Sequence, residues 1–431
     1  MKKISVYTIS LGCPKNQVDT EWMLGGFGAA FVNAAQIDTA DVVLINTCGF
    51  IRPAVDESIA TILDVADEIQ GLGTKPVFVV TGCLVSRYGK DLEAELPEVD
   101  LFLDIASQKD LGRRLEEILS RPIQSFSHRM LSSAPSFAYL KIAEGCNNHC
   151  RFCVIPGIRG KLVSREVADI LEDARHCLRQ GRKELVVVAQ DVTAYGEDFG
   201  GKGHLERLVG ELAGLDGLFW LWLMYLYPAG LTSDVLSFLS GLGKPFVPYF
   251  DIPLQHAHAD ILTRMGRPFR HNPRELLDRV RHFFPHAALR TSLIVGYPGE
   301  TDAHFQALED FVRETRFTQL GVFPYYAEDG SPAAKISGQV PEDVKLERRE
   351  RIMEVQAEIS EELLGEFQDM ELDVLVDKAH EEWPGLFEGR VWFQAPEVDG
   401  VTYVSGEDIQ VGQMTRARIE ESKVYDLVAF A

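Results

Sequence analysis

Along the first part of the chain, short apolar and β-branched runs alternate with longer stretches in which apolar residues recur every three or four positions. ISVYTIS, DVVLINT and PVFVVTG read as buried strands, and RPAVDESIATILDVADEIQ reads as a crossover helix. Residues 1–120 are therefore expected to form a parallel α/β sheet. The opening MKKISVYTISLGCPKN interrupts its apolar segment with Ser5, Thr8 and Ser10, which suits a first strand rather than a leader peptide. Residues 121–137 lie in a Ser- and Pro-rich stretch, LSRPIQSFSHRMLSSAPSF, and are expected to be a linker.

From residue 138 to 340 the alternation resumes. Its strand candidates are AYLKIA, ELVVVAQ, LFWLWLMYL, VPYFDIPL, LRTSLIVG and QLGVFPYY. Six βα repeats predict a partial (β/α)6 version of the eight-fold TIM-like barrel. A charged amphipathic helix, PEDVKLERRERIMEVQAEISEELLGEF, supplies the connection over 341–365. Residues 366–431 change character again: ELDVLVD, GRVWF, VTYV, TRARIEE and YDLVAF are short β-type runs separated by Gly, Pro and Asp, which predicts a small all-β barrel.

Composition narrows the function classes. The 431 residues are 46% hydrophobic, enough for several cores, yet no apolar run approaches the roughly 20 residues that span a bilayer. A net charge of −22 disfavours a nucleic-acid backbone as the main partner and favours a basic one. Seven cysteines without secretory features point to a reducing, cytoplasmic setting and to metal or catalytic use.

Three of those cysteines, Cys146, Cys150 and Cys153, are crowded into EGCNNHCRFC, where a disulfide would want an even number and structural zinc a fourth ligand. Three more, Cys13, Cys48 and Cys83, recur every 35 residues, each just after one of the N-terminal strands, in SLGCPKN, INTCGFI and TGCLVSR. In a parallel sheet those positions share one edge, so the thiols are expected to converge. Gly12, Gly49 and Gly82 beside them suggest close backbone approach, and three buried cysteines acting as small hydrophobes is the plainer alternative. Cys177 shares a helix face with Ile170, Leu171 and Ala174 and reads as core. Thiolates at short spacing hold iron–sulfur clusters, and three of them leave one iron of a four-iron cluster open to a substrate. Zinc with His149 as fourth ligand is the alternative for the second triad, but its place after the first barrel strand favours chemistry at the barrel mouth.

The spacing of Cys146, Cys150 and Cys153 matches CxxxCxxC, and the chain resembles the radical S-adenosylmethionine (SAM) enzymes. With LGCPKN, INTCGFI, TGCL, IPGIRGKLVSR, AQDVTAYG, DIPLQHA, TSLIVGYPGET and APEVDG in that order, it resembles their methylthiotransferase family over nearly its whole length. The resemblance implies an N-terminal methylthiotransferase domain, a radical SAM core and a TRAM-like barrel for substrate recognition. It implies two 4Fe–4S clusters. Cys146, Cys150 and Cys153 would hold the catalytic one, whose open iron is chelated by SAM, and Cys13, Cys48 and Cys83 an auxiliary one that handles sulfur. One SAM would serve as methyl donor and one as radical source, with an external electron donor and sulfur source. The product implied is a methylthio group on the β-carbon of an aspartate in ribosomal protein S-twelve.

Relatives in the same superfamily modify an adenosine of transfer RNA, and that reading stays open, as does a non-catalytic iron–sulfur scaffold or electron carrier. Residues 366–431 carry fifteen acidic and five basic side chains, a balance suited to a basic ribosomal protein rather than RNA. LGCPKN and the Asp191 of AQD also resemble the protein-modifying branch. Gln190, Asp191, Gln255 and Arg290 fall at or near strand ends and are expected to line the nucleotide site. Gly296 and Gly299, with Pro298 and Glu300, form a strand–helix corner whose backbone is expected to lie against the nucleotide, although such corners are common without one. FWLWLMYLY reads as barrel core with Tyr225 or Tyr227 reaching the mouth, and His256 and His258 have no evident metal-ligand set.

Overall fold

The computed structural model describes residues 3–123, 128–267 and 273–431. They form two compact units. Unit 1 holds residues up to Ser132 together with Glu144–Asn147 and Cys153–Leu162, and unit 2 holds Ser133–Ala143, Asn148–Phe152 and Val163–Ala431.

In unit 1 five strands, β1 (Ile4–Ser10), β2 (Phe31–Asn33), β3 (Val42–Thr47), β4 (Val77–Gly82) and β5 (Leu101–Leu103), form a parallel sheet in the order β2-β1-β3-β4-β5. The three predicted strands are its centre, and β2 and β5, three residues each, are the edges that their weak patterns hid. Every residue of β3 is buried because both faces are covered. Val43 and Ile45 pack with Val55, Ile62 and Val65 of α2 (Arg52–Gln70) and with Leu84 and Val85 of α3 (Cys83–Glu95). Val42 and Leu44 face the other way, against Met23 and Leu24 of α1 (Pro14–Gly25) and Leu111 and Leu115 of α4 (Leu111–Leu119). The strand order reverses between β1 and β3, the crevice where open α/β sheets bind ligands.

The stretch read as a linker covers residues 121–137. Residues 124–127 lie outside the described residues. Beyond them the chain is tied down: Arg129 is buried and pairs with Glu21 at 2.5 Å, and Glu21 also accepts from the backbone amide and hydroxyl of Ser132 at 2.7 and 2.9 Å.

In unit 2 the six predicted barrel strands all form: β6 (Phe137–Lys141), β7 (Glu184–Val188), β8 (Trp220–Leu223), β9 (Tyr249–Asp251), β10 (Ala288–Val295) and β11 (Gln319–Pro324). They make two parallel three-stranded sheets, β6-β7-β8 and β9-β10-β11, linked by a parallel bridge between Leu221 and Phe246. The result is the expected partial barrel. Cys177 is fully buried on its helix with Ile170 and Ala174. The connecting helix runs Glu342–Gly365 and packs along β11, burying Ile352, Val355 and Ile359. Five strands, β12 (Glu371–Ala379), β13 (Leu386–Arg390), β14 (Thr402–Ser405), β15 (Met414–Ser422) and β16 (Leu427–Phe430), then close in the order β12-β13-β14-β16-β15. No described helix is long and apolar enough to cross a membrane.

The C-terminal barrel is part of unit 2 because charges bind it to the βα strands. Arg390 is buried between Glu184, at 2.7 Å, and Asp377, at 2.7 Å. Asp399 accepts from Arg290 at 2.5 Å and from the Tyr249 hydroxyl at 2.6 Å. Glu184 has no exposed side-chain surface, so its charge rests on Arg390. Arg390→Met should therefore cost about 3–5 kcal/mol, the usual penalty for breaking a buried pair on one side, and Glu184→Gln in the same chain should recover part of it. Urea unfolding followed by tryptophan fluorescence measures both; a loss for Arg390→Met within the ~0–1 kcal/mol range of exposed pairs would show that the network carries no weight.

Candidate functional site

Cys13, Cys48 and Cys83 stand at the carboxyl ends of β1, β3 and β4, as the strand pattern requires. Cys13 caps the start of α1, with Pro14 at its first position, and Cys83 opens α3. The glycines beside them serve the chain itself. Gly12 has φ +87°, and a Cβ there would lie 2.8 Å from the Cys48 Cβ; Gly82 has φ +105° and packs on the Asn46 side chain. The close approach foreseen at these positions is thus strand end against strand end.

Asn16, fully buried, fixes this edge. Its Nδ2 donates to Leu11 O at 3.0 Å and Thr47 O at 2.8 Å, and its Oδ1 lies 3.7 Å from the Cys83 Sγ and accepts from Arg159. Arg159 is almost wholly buried, with Nη1 at 3.1 Å from Asp19 and 2.9 Å from Glu144. Burial pushes all three thiols up. At Cys13 this is outweighed by Lys15, Arg159 and backbone amides, so its thiol falls below the ordinary value. Cys48 stays raised, and Cys83 reaches about 11, with Arg159 opposing burial in both. None of the six triad cysteines is joined in a disulfide. Neither Asn16 nor Arg159 was singled out from the sequence, although both stand inside quoted motifs, LGCPKN and IPGIRGK.

The second triad lies on the turn after β6. In unit 1, the Cys146 amide donates to Gly160 O at 3.1 Å, the Leu162 amide donates to the Asn147 side chain at 3.1 Å, and the Cys153 Sγ accepts from the Ile155 amide at 3.4 Å. Gly145, with φ +73°, packs so tightly on Lys161 that a Cβ would overlap its carbonyl. Helix α5 (Ile155–Arg159) follows, and Val154 and Ile158 pack with Cys83, Phe50 and Ile105.

In unit 2, Cys150 is flanked by Asn148, whose Nδ2 donates to Asp191 at 2.8 Å, and by Arg151, whose amide donates to Met265 O and whose carbonyl accepts from Ala333. The Cys150 Sγ lies 3.5 Å from Arg267 Nη1 and 3.8 Å from the Tyr227 hydroxyl. The buried Arg267 guanidinium sits 4.2 Å over the Tyr227 ring and donates to Pro253 O. Tyr227 is thus the member of the aromatic run that meets the cysteine, its phenol pushed up by burial. Arg267 had no signal in sequence beyond its charge.

Of the other candidates, Asp191 meets the loop: besides Asn148 it accepts from Thr193, and burial raises its carboxyl. Gln190 precedes it, two residues beyond β7. Gln255 adopts φ +72° and bridges to Leu293 beside β10. Arg290 is held elsewhere, by Asp399 at 2.5 Å and Asp251 at 3.5 Å. Gly296 and Gly299 have positive φ, and the room beside them is filled by Lys345 and Arg264; the Gly296 amide donates to Glu300 and the Gly299 amide to Gly338. Glu300 in turn pairs with Arg348 at 2.8 Å and faces the buried His256 at 3.4 Å. His258 does have companions, Asp260 and His304, their ligand atoms within 4.8 Å. Each of the two histidines accepts a backbone amide at Nδ1, which puts the proton on Nε2 and marks them as helix caps.

The donor sets fit iron–sulfur clusters. In unit 1 the thiols of Cys13, Cys48 and Cys83 share the buried Arg159, and in unit 2 the Cys150 thiol lies beside the buried Arg267; each arginine would offset the negative charge of thiolates holding a cluster.

Comparison with known proteins agrees over the whole chain. The family model "Uncharacterized protein family UPF0004" matches residues 5–104, "Radical SAM superfamily" residues 140–312, and "TRAM domain" residues 370–431. Proteins described as "Ribosomal protein uS12 methylthiotransferase RimO" are similar throughout. The one from Oleidesulfovibrio alaskensis is 57% identical over 434 residues, covering 99% of this chain and 100% of that protein. That from Nitratidesulfovibrio vulgaris is 56% identical over 430 residues, with 99% and 100% covered. That from Geobacter sulfurreducens is 43% identical, with 99% and 98% covered. Among solved structures, the radical SAM methyltransferase TsrM from Kitasatospora setae superposes with a TM-score of 0.53 at 12% identity, over 90% of this chain and 81% of that one, a likeness of fold. By identity over almost its entire length, the chain belongs to the family of ribosomal protein uS12 methylthiotransferases RimO.

Proposed function

We propose that the chain places a methylthio group on the β-carbon of an aspartate in ribosomal protein uS12. The observation that carries this is the meeting of Cys13, Cys48 and Cys83 at one sheet edge in a chain that also holds the CxxxCxxC triad, since cleaving SAM needs one cluster and inserting sulfur gives the second a purpose. The RimO relatives support the substrate. An iron–sulfur cluster and SAM are the cofactors; Cys146, Cys150 and Cys153 hold that cluster, and Cys13, Cys48 and Cys83 hold an auxiliary one. When bound, these groups supply the one-electron chemistry and the sulfur needed to functionalise an unactivated carbon–hydrogen bond, which side-chain acids and bases cannot open. An external electron donor and a sulfur source complete the reaction.

The chain's own residues bind, orient and exclude water. Asn148 on Asp191, and Arg151 between Met265 and Ala333, fix the loop that carries Cys150. Arg267 and Tyr227 cover the Cys150 sulfur and offset its charge. Gln190, Asp191, Gln255, Arg290, Gly296 and Gly299 are the nucleotide-facing candidates, with Arg290 also paired to Asp399 and Gly296 and Gly299 packed beside Lys345 and Arg264. Residues 1–120, 138–340 and 366–431 divide the work into sulfur handling, radical chemistry and substrate recognition.

The C-terminal barrel exposes Glu371, Glu381, Glu382, Glu407, Asp408, Glu420 and Glu421, while its exposed Arg416 and Arg418 are paired with Asp373 and Asp369. Such a surface attracts a basic protein and repels phosphate.

Cys150→Ala should abolish 5′-deoxyadenosine formation, because a cluster with two protein ligands does not assemble stably; wild-type rates of SAM cleavage in that variant would refute the assignment. Cys48→Ala should remove about half of the iron and all methylthio transfer while 5′-deoxyadenosine still forms. Iron analysis that finds no change would make the N-terminal cysteines mere core. Replacing Glu381, Glu382, Glu407 and Asp408 with Gln or Asn should weaken modification of uS12 and flatten its dependence on salt, which screens exposed charges over about 8 Å at physiological ionic strength. Mass spectrometry of uS12 and of transfer RNA incubated with the enzyme reads the outcome, and methylthio groups on the RNA alone would transfer the proposal to an adenosine substrate.

A further inference from the structure

Arg159 occupies an unusual place in unit 1. It is contributed by the short helix just after Cys153, yet its guanidinium reaches the N-terminal triad: it donates to the Asn16 Oδ1 that lies 3.7 Å from the Cys83 Sγ, and it acts electrostatically on Cys13, Cys48 and Cys83. The same guanidinium binds both carboxylate oxygens of Glu144, at 3.0 and 2.9 Å, two residues before Cys146. Asp19 on α1 closes the set at 3.1 Å. An arginine side chain cannot lose its proton at any physiological pH, so this is a fixed positive charge, shared between two carboxylates and three thiols.

We propose that Arg159 is a positioning residue that sets the reduction potential of the cluster on Cys13, Cys48 and Cys83 and, through Glu144, ties that setting to the segment bearing Cys146. The inference rests on the reading that those three cysteines hold a cluster. The thiolates and the cluster are anionic, and each added electron makes them more so. A cation in contact favours the reduced form, and a carboxylate on the cation's far side partly cancels it. Burial enlarges both effects, because little water intervenes: the Arg159 side chain is 1% exposed and that of Asp19 is 4% exposed. The contact of Nη1 with both Glu144 oxygens has a second consequence. A shift of the turn that carries Cys146 moves the carboxylate, and with it the field at the other triad, so events at one triad are registered at the other without a change of ligands.

The test is a redox titration monitored by electron paramagnetic resonance on the full-length chain carrying Cys150→Ala, which silences the second cluster. Arg159→Gln should lower the midpoint potential, and Glu144→Gln should raise it, each by tenfold or more in the reduction equilibrium, which is 59 mV for one electron. Arg159→Lys keeps the charge and should stay near the parent. Potentials unmoved in both Gln variants, or moved in the same direction, overturn the proposal. If Arg159→Gln does not assemble its cluster, Glu144→Gln decides alone, since its carboxylate is 25% exposed and tolerates neutralisation: a raised potential supports the proposal and an unchanged one overturns it. A Cys150→Ala parent without iron overturns the underlying cluster assignment, and the inference falls with it.

Discussion

Parallel strands all deliver their carboxyl ends to one edge of a sheet, and the loops that leave that edge are where backbone amides and side chains are free to point at something other than the next strand. Both units of this chain are built on that constraint. In unit 1 it turns three cysteines 35 residues apart into one group, and in unit 2 it sets Asp191, Tyr227 and Arg267 beside the Cys150 loop. Nothing local in the sequence around Cys13 asks for Cys48 or Cys83. The sheet brings them together, with Asn16 and the positive-φ glycines holding the strand ends close enough for the thiols to share one environment.

A buried arginine stands beside the N-terminal cysteines in unit 1 and another beside Cys150 in unit 2, and the two are held differently. Arg159 is surrounded by carboxylates and an amide, so its charge is largely spoken for. Arg267 leans on the Tyr227 ring and the Pro253 carbonyl, and it lies 3.5 Å from the sulfur of Cys150. The two arginines therefore stand in different surroundings, one among carboxylates and the other against an aromatic ring.

The fold was legible because its signals are local. Apolar runs with the phase of buried strands, a crossover helix between them and a late change to short β runs mark three architectures without long-range information, and the even spacing of Cys13, Cys48 and Cys83 was readable because one βα unit has a near-constant length. The supporting residues were not legible. Arg159 and Asp19 are 140 positions apart, and Arg290 and Asp399 are 109 apart, and no pattern in the sequence joins them. Arg290 was read from its place near a strand end as lining the nucleotide site, and strand position does not reveal that Asp399 and Asp251 also hold its guanidinium. Gly296 and Gly299 show a related limit of sequence: a glycine needed for positive φ and one needed to admit a ligand look alike there, and only the structure shows Lys345 and Arg264 beside them.

The Glu184–Arg390–Asp377 cluster bears on heredity as well as on stability. Glu184 is the first residue of β7, and its carboxylate is sealed by an arginine 206 positions further on, in the small barrel. A gene fusion that exchanged this barrel for a foreign one would strand a buried acid in the older part of the molecule, while a barrel moved elsewhere would carry an arginine with no acid to meet. The pair therefore acts as a lock on recombination: the small barrel and the βα strands can diverge residue by residue, but they are expected to be inherited together.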